Sequence, residues 1–177
     1  MERTFDRTLV IRHIAICAAA VAAYVLRSEL GSTSPRPHGC MDRALEETSR
    51  SHPDVRWERS SDGTNPWVSL SDADLLEVLL VLLRNAAEAV EGRCKAWIEM
   101  RSAGGDFLVV VSDFGDGVSA ETLSRVFEAG YTTKPQGSGY GLFLARRLLE
   151  KQGGRLAVKP STGAGAVFEM ALPLAAP

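Results

Sequence analysis

The sequence predicts an α+β two-layer sandwich, with helices laid over one face of a mixed, mostly antiparallel sheet. Three observations lead there. Residues 71–90 form an apolar-rich helical stretch bounded by Ser71 and Gly92; two pairs of strand-like runs are each joined through glycines; and a second helical stretch, Tyr140 to Gln152, precedes the last pair. With 177 residues, 45% of them apolar and 24% charged, the chain suits one domain of ordinary size plus an extension.

The elements follow in order. Residues 3–30 read as one alanine-rich helix without internal glycine or proline, ending at Gly31. Its apolar positions Val10, Ile14, Cys17, Val21 and Val25 keep helical spacing, which predicts a homodimer formed through this helix. The apolar run Ile14 to Leu26 falls short of the ~20 residues that a membrane-spanning helix needs. Arg27, Ser28 and Glu29 follow it, where a secretory signal would carry a cleavage site. No membrane span is therefore expected in this chain, and a cytoplasmic location is. Gly31 to Gly39 has linker composition, giving three expected parts: 1–31 a dimerisation-like helix, 32–40 a linker, 41–177 the domain.

Within the domain, residues 41–50 read as a short helix. Asp54 to Glu58 and Trp67 to Leu70 read as strands joined by the turn Ser60 to Gly63. Ser71 caps the main helix, and Asp72 and Asp74 complement its dipole. Val78 to Leu83 is apolar all round, so this helix is buried on more than one side. Cys94 to Arg101 and Phe107 to Ser112 form a hairpin through Ala103 to Gly105. A loop and short helix fill 114–136. The helix Tyr140 to Gln152 stops at Gly153 and Gly154. Strands Arg155 to Lys159 and Ala166 to Leu172 flank the turn Ser161 to Gly165.

The formal net charge of -2 argues against nucleic acid as a partner. Three cysteines without a CxxC pair suggest neither a zinc site nor a disulfide framework.

Four segments carry candidate chemistry. Asn85 is an amide late in a buried helix, where leaving it unpaired would cost about 1–3 kcal/mol. It either caps a neighbouring loop or offers its carbonyl oxygen to a hard cation such as Mg²⁺. Glu88 lies one turn on, on the same face, and is a candidate catalytic carboxylate. In the second segment Asp113 closes an apolar strand, with Gly115 and Gly117 following. That pattern is either a common strand-to-turn exit or a carboxylate for an exocyclic amine, with glycines admitting a flat base. Third, Thr132, Thr133 and Lys134 offer two hydroxyls and a cation to phosphate, while Phe127 reads as a core anchor. Fourth, Gly137, Ser138, Gly139, Tyr140, Gly141 and Leu142 precede a helix whose N-terminal N–H groups suit an anion. A dinucleotide-binding reading fails, because that motif would follow the first strand of a βαβ unit.

In this order the four segments resemble the N, G1, F and G2 boxes of the sensor histidine kinase ATP-binding domain. The resemblance covers about Met41 to Pro173 and is closest to the compact-lid kinases related to nitrogen-regulation sensors. It implies the Bergerat sandwich shared with gyrase, Hsp90 and MutL. It also implies ATP and Mg²⁺ as cofactors, Asn85 on the metal, Asp113 on adenine, and Gly115 and Gly117 at the base. Residues 118–139 would form a lid whose Gly137, Gly139 and Gly141 let it close over the phosphates, and a response regulator or phosphotransfer protein would be the partner.

Two positions depart from that pattern. Val81 stands where gyrase-like hydrolases place a water-activating glutamate, which argues against autonomous ATP hydrolysis. His13, the candidate acceptor in the N-terminal helix, is followed by Ile14 rather than by an acidic residue that would take its proton. Three functions follow in descending order: a histidine kinase ATP-binding module, a non-catalytic phosphotransfer or adaptor protein, and an ATPase.

Overall fold

The computed structural model describes residues 35–89, 94–115, 117–135, 137–160 and 165–175. The expected helix at 3–30, its dimer face and His13 lie outside them.

Helix α1 spans Pro37–Ser51, so it opens inside the stretch whose composition read as linker. Pro37 occupies the first turn, where its missing N–H has no intrahelical partner to lose. Its buried face is Pro37, Cys40, Met41, Ala44 and Thr48. The Cys40 thiol donates to Asp72 Oδ1 at 3.1 Å, and burial together with that carboxylate pushes its pKa up to about 12. It is therefore packing rather than a nucleophile.

Strand β1, Val55–Ser61, pairs parallel with β2, Cys94–Ala103. Helix α2, Asp72–Glu88, is the crossover between them. The Ser71 side chain accepts from the Asp74 N–H at 3.1 Å, and eight α2 residues from Leu75 to Ala87 are buried. The burial on several faces expected for this helix is present. Strand β3, Asp106–Asp113, follows antiparallel to β2. Then come α3, Ala120–Arg125, and α4, Gly141–Lys151. Strands β4, Arg155–Pro160, and β5, Ala166–Pro173, form the last antiparallel pair, and the sheet order is β1-β2-β3-β5-β4.

The predicted sandwich is thus present, with one parallel pairing in a mostly antiparallel sheet. Its inner face is built in register. Met100, Val109, Met170 and Leu156 are neighbours across four strands, and Ile98, Val111, Phe168 and Val158 form the next row. These rows meet Leu75, Leu79, Leu82 and Leu83 of α2 and Leu149 of α4 in one core. Truncating such a leucine to alanine typically costs about 2–5 kcal/mol.

Trp67 to Leu70 is not a strand of the sheet. Val68 makes a single antiparallel bridge to Leu174, and the Leu70 N–H turns back to the Val68 carbonyl at 2.9 Å. Apolar content alone made this stretch look like a strand; its backbone bonds go to Pro35, Pro173 and Ala175 instead of to β1. No helix among the described residues is long and apolar enough to cross a membrane.

Candidate functional site

The C-terminal half of α2 presents Val81, Arg84, Asn85 and Glu88 to a cavity of about 290 Å³. Spacings of three and four residues bring these side chains to one helix face. The opposite walls are Thr122 and Val126, the loop from Tyr131 to Lys134, Gly137 to Gly139, and Gly141 and Leu142 at the start of α4. The first and the last two predicted segments therefore converge on one space.

Asn85 is not a simple cap. Its Nδ2 donates to the Val81 carbonyl at 2.9 Å, which turns Oδ1 away from the helix backbone. Lys134 Nζ donates to that Oδ1 at 3.0 Å and to Glu88 Oε2 at 2.5 Å. An ammonium thus sits between an amide oxygen and a carboxylate, the hard oxygen donors that a divalent cation also takes. The donor set fits Mg²⁺.

The loop that delivers Lys134 is tied mainly to itself. The Lys134 N–H donates to Thr132 Oγ1 at 3.1 Å, and the Gly137 N–H donates to the Lys134 carbonyl at 3.1 Å. Gly130 and Gly139 pack backbone to backbone, their N–H and carbonyl 3.1 Å apart. Gly139 has φ +72°, and a Cβ there would fall 2.4 Å from the Gly130 carbonyl carbon. Tyr131 Oη donates to Thr122 Oγ1 at 3.2 Å while the Arg125 guanidinium covers its ring. Tyr140, 40% exposed, is the N-cap residue of α4 and is not part of the cavity wall; no side chain caps the helix, which leaves its first-turn N–H groups without a capping side chain.

Asp113 lies apart from that cavity wall, buried at the end of β3. Its Oδ1 accepts from the Gly115 N–H and from the Ala166 N–H, each at 3.1 Å. Burial raises its pKa above the ordinary carboxylate value, against the pull of those two N–H groups and of the Lys134 charge. Gly115 approaches the end of α2 so closely that a Cβ would fall 2.1 Å from the Ala89 carbonyl oxygen. Gly117 lies beside the Gly165 backbone.

Sequence reasoning missed three participants. Arg84 lines the cavity while its guanidinium pairs with Glu47 of α1 at 2.6 Å. Gly165 and Ala166 close around Asp113 from β5, and a Cβ at Gly165 would fall 2.1 Å from the Asp113 carbonyl oxygen. The glycine-rich stretch before β5 was the available signal, but only the β3–β5 pairing reveals what Gly165 packs against.

An open helix N-terminus, a glycine-rich loop and an amide-bearing helix, set on this two-layer sandwich, define a nucleotide-binding class of domain. The family described as histidine kinase-, DNA gyrase B-, and HSP90-like ATPase matches residues 71–176, and the chain belongs to it. The sensor histidine kinase ZraS of Salmonella typhi is 36% identical over 103 residues, which cover 58% of this chain and 22% of ZraS. The sensor protein TdiS of Thauera aromatica is 33% identical over 115 residues, covering 62% of this chain and 21% of TdiS. The chain thus spans only about a quarter or less of these relatives.

Among solved structures, a chain of the mycobacterial sensor histidine kinase MprB superposes with a TM-score of 0.74 at 25% identity, covering 81% of this chain and 98% of that solved chain. Full-length ShkA in complex with AMPPNP gives 0.71 at 27% identity, covering 84% of this chain and 33% of ShkA.

Proposed function

We propose that the domain binds Mg-ATP and supplies the γ-phosphate for phosphorylation of a histidine, as the catalytic module of a two-component kinase. The observation that carries this reading is the convergence of Asn85, Glu88, the Thr132 to Lys134 loop and the open N-terminus of α4 on one cavity. Membership in the ATPase family and similarity to sensor kinases support it.

In this reading the roles divide by chemistry. Asp113 accepts from the exocyclic amine of adenine, because its described hydrogen bonds both fall on Oδ1. Gly115 and Gly117 admit the base. Thr132, Thr133, Lys134 and Ser138, with the backbone from Gly137 to Leu142, take the phosphates. Asn85 holds Mg²⁺, which when bound neutralises phosphate charge, and Glu88 beside it is the candidate catalytic carboxylate. The acceptor must lie in line with the γ-phosphate and lose its proton to a base. Val81, whose methyls lie 3.5 and 3.8 Å from where a Gly141 Cβ would stand, makes this part of the cavity apolar. It has no proton-accepting group, so transfer to a protein acceptor is favoured over transfer to water.

His13 is the acceptor candidate within the chain; lacking an acidic neighbour, it is expected to label poorly, with the main acceptor on a partner. The same reading makes the protein a cytoplasmic homodimer, joined through residues 1–31, that passes phosphoryl groups to a response regulator or phosphotransfer protein.

Calorimetry with Mg-ATP is the first test, with binding expected at about -5 to -8 kcal/mol. Incubation with γ-labelled ATP and candidate acceptor domains should then give a label that acid removes and base does not. No Mg-ATP binding by the full chain would overturn the reading.

A further inference from the structure

The contact that joins the loop to α2 is made by a cation. Lys134 Nζ bonds Asn85 Oδ1 at 3.0 Å and Glu88 Oε2 at 2.5 Å. The two oxygens come from one helix face, and the Asn85 amide is held in this orientation by its bond to the Val81 carbonyl. The oxygen pair is therefore arranged by α2, whereas the charge between the oxygens arrives on a flexible four-carbon stem. Lys134 is 35% exposed and Glu88 43%, so the ammonium can leave into water without unfolding anything.

An ammonium and a divalent ion cannot share the same two oxygens. Each removes the lone pairs the other needs, and their like charges repel. Such competition makes the free ion bind weakly. A nucleotide changes the balance, because its phosphates give the displaced ammonium a new anionic partner a few ångströms away. Metal and nucleotide are then coupled: each is bound better when the other is present.

We propose that Lys134 is an internal cation occupying a metal position formed by Asn85 and Glu88, and that nucleotide-borne metal displaces it towards the phosphates. The inference rests on the nucleotide reading above and adds two assignments to it. Glu88 is a metal ligand alongside Asn85, and Lys134 keeps the site from taking up metal before nucleotide arrives.

The test uses the full chain and Mn²⁺ alone, with free ion followed by electron paramagnetic resonance. Lys134→Met is expected to bind Mn²⁺ up to about fivefold more tightly than wild type without nucleotide, the scale set by losing one exposed ion pair. Adding Glu88→Gln to Lys134→Met should abolish the gain. In the wild type, the Asn85 side-chain amide resonances should shift with Mg-ATP and stay in place with Mg²⁺ alone, a readout that needs no variant. Wild-type protein that binds Mg-ATP, together with a Lys134→Met variant whose Mn²⁺ affinity is unchanged, would overturn the internal cation. A variant that gains Mn²⁺ affinity while wild type binds no Mg-ATP would overturn the nucleotide reading and keep the internal cation.

Discussion

At Asp113 the backbone does the holding: two main-chain N–H groups, from Gly115 and from Ala166, converge on one buried carboxylate oxygen. At Lys134 side chains hold one another in partial exposure, and the loop's backbone bonds run mostly within the loop. The first arrangement is fixed by the same strand pairing that fixes the core. The second can come apart while the core stays intact. One end of the site is built with the fold; the other is assembled on it, at the low end of the local stability range.

Adding the same methyl group at each end should separate the two. Gly165→Ala forces a side chain at φ +96° and against the Asp113 carbonyl. Left-handed strain and overpacking together predict a loss of about 3 kcal/mol in urea unfolding. Gly139→Ala makes a similar clash with Gly130, yet only loop contacts surround it. Its stability loss should stay below about 1 kcal/mol because the strained loop can detach locally, while Mg-ATP affinity falls. Equal unfolding midpoints for the two variants would break the distinction.

Asp113→Asn gives the next largest effect. The amide oxygen can still accept from Gly115 and Ala166, so the fold should hold. Nucleotide affinity should fall at least about tenfold in calorimetry, because the amide nitrogen, a donor, then faces the adenine amine where the second carboxylate oxygen accepted. Unchanged affinity would remove Asp113 from the base pocket.

Amide hydrogen exchange should find residues 126–135 slowed by Mg-ATP, with β3 and β5 nearly unaffected. Identical exchange with and without nucleotide would deny the loop its provisional character.

The smallest effect is a control at the other end of α2. The Arg43 guanidinium and the Cys40 thiol hold the Asp72 carboxyl below its ordinary pKa. Because the folded value is the lower one, this stability is present above the usual carboxylate range of about 3.9 and is lost as pH falls through the folded value. Asp72→Asn should cost about 0.5–1 kcal/mol near neutrality, discounted for exposure, and nothing in strong acid. Thermal melts across pH would show the gap closing.

Much of this architecture can be read locally. The capped, apolar α2 and the alternating β2 signal themselves within a few residues, and so does the face that joins Asn85 to Glu88. The misreadings share one cause. Pro37 and its neighbours have the composition of a linker, yet Met41 and Ala44 supply a core contact that makes them helical. Trp67 to Leu70 is apolar enough for a strand, but its partners lie near residue 174. The closure of Gly165 and Ala166 around Asp113, like the Arg84–Glu47 pair, depends on which segments meet across the fold, and local periodicity carries no record of that.

The strand order has a consequence for how the molecule comes into being. β5 follows the other strands of the sheet in the chain, yet it sits between β3 and β4 inside it. While the chain emerges from the ribosome, β3 has β2 on one side and an open hydrogen-bonding edge on the other. Asp113 meanwhile lacks the Ala166 N–H, and Phe107, Val109 and Val111 lack the β5 row that covers them. Residues 173–175 then bond to Gly105, Trp67 and Ser69, closing long loops of the domain once they have emerged. Nascent chains stalled before residue 166 should therefore bind chaperones and pair at exposed edges. Emergence of β5 completes both the sheet and the carboxylate's environment in one step.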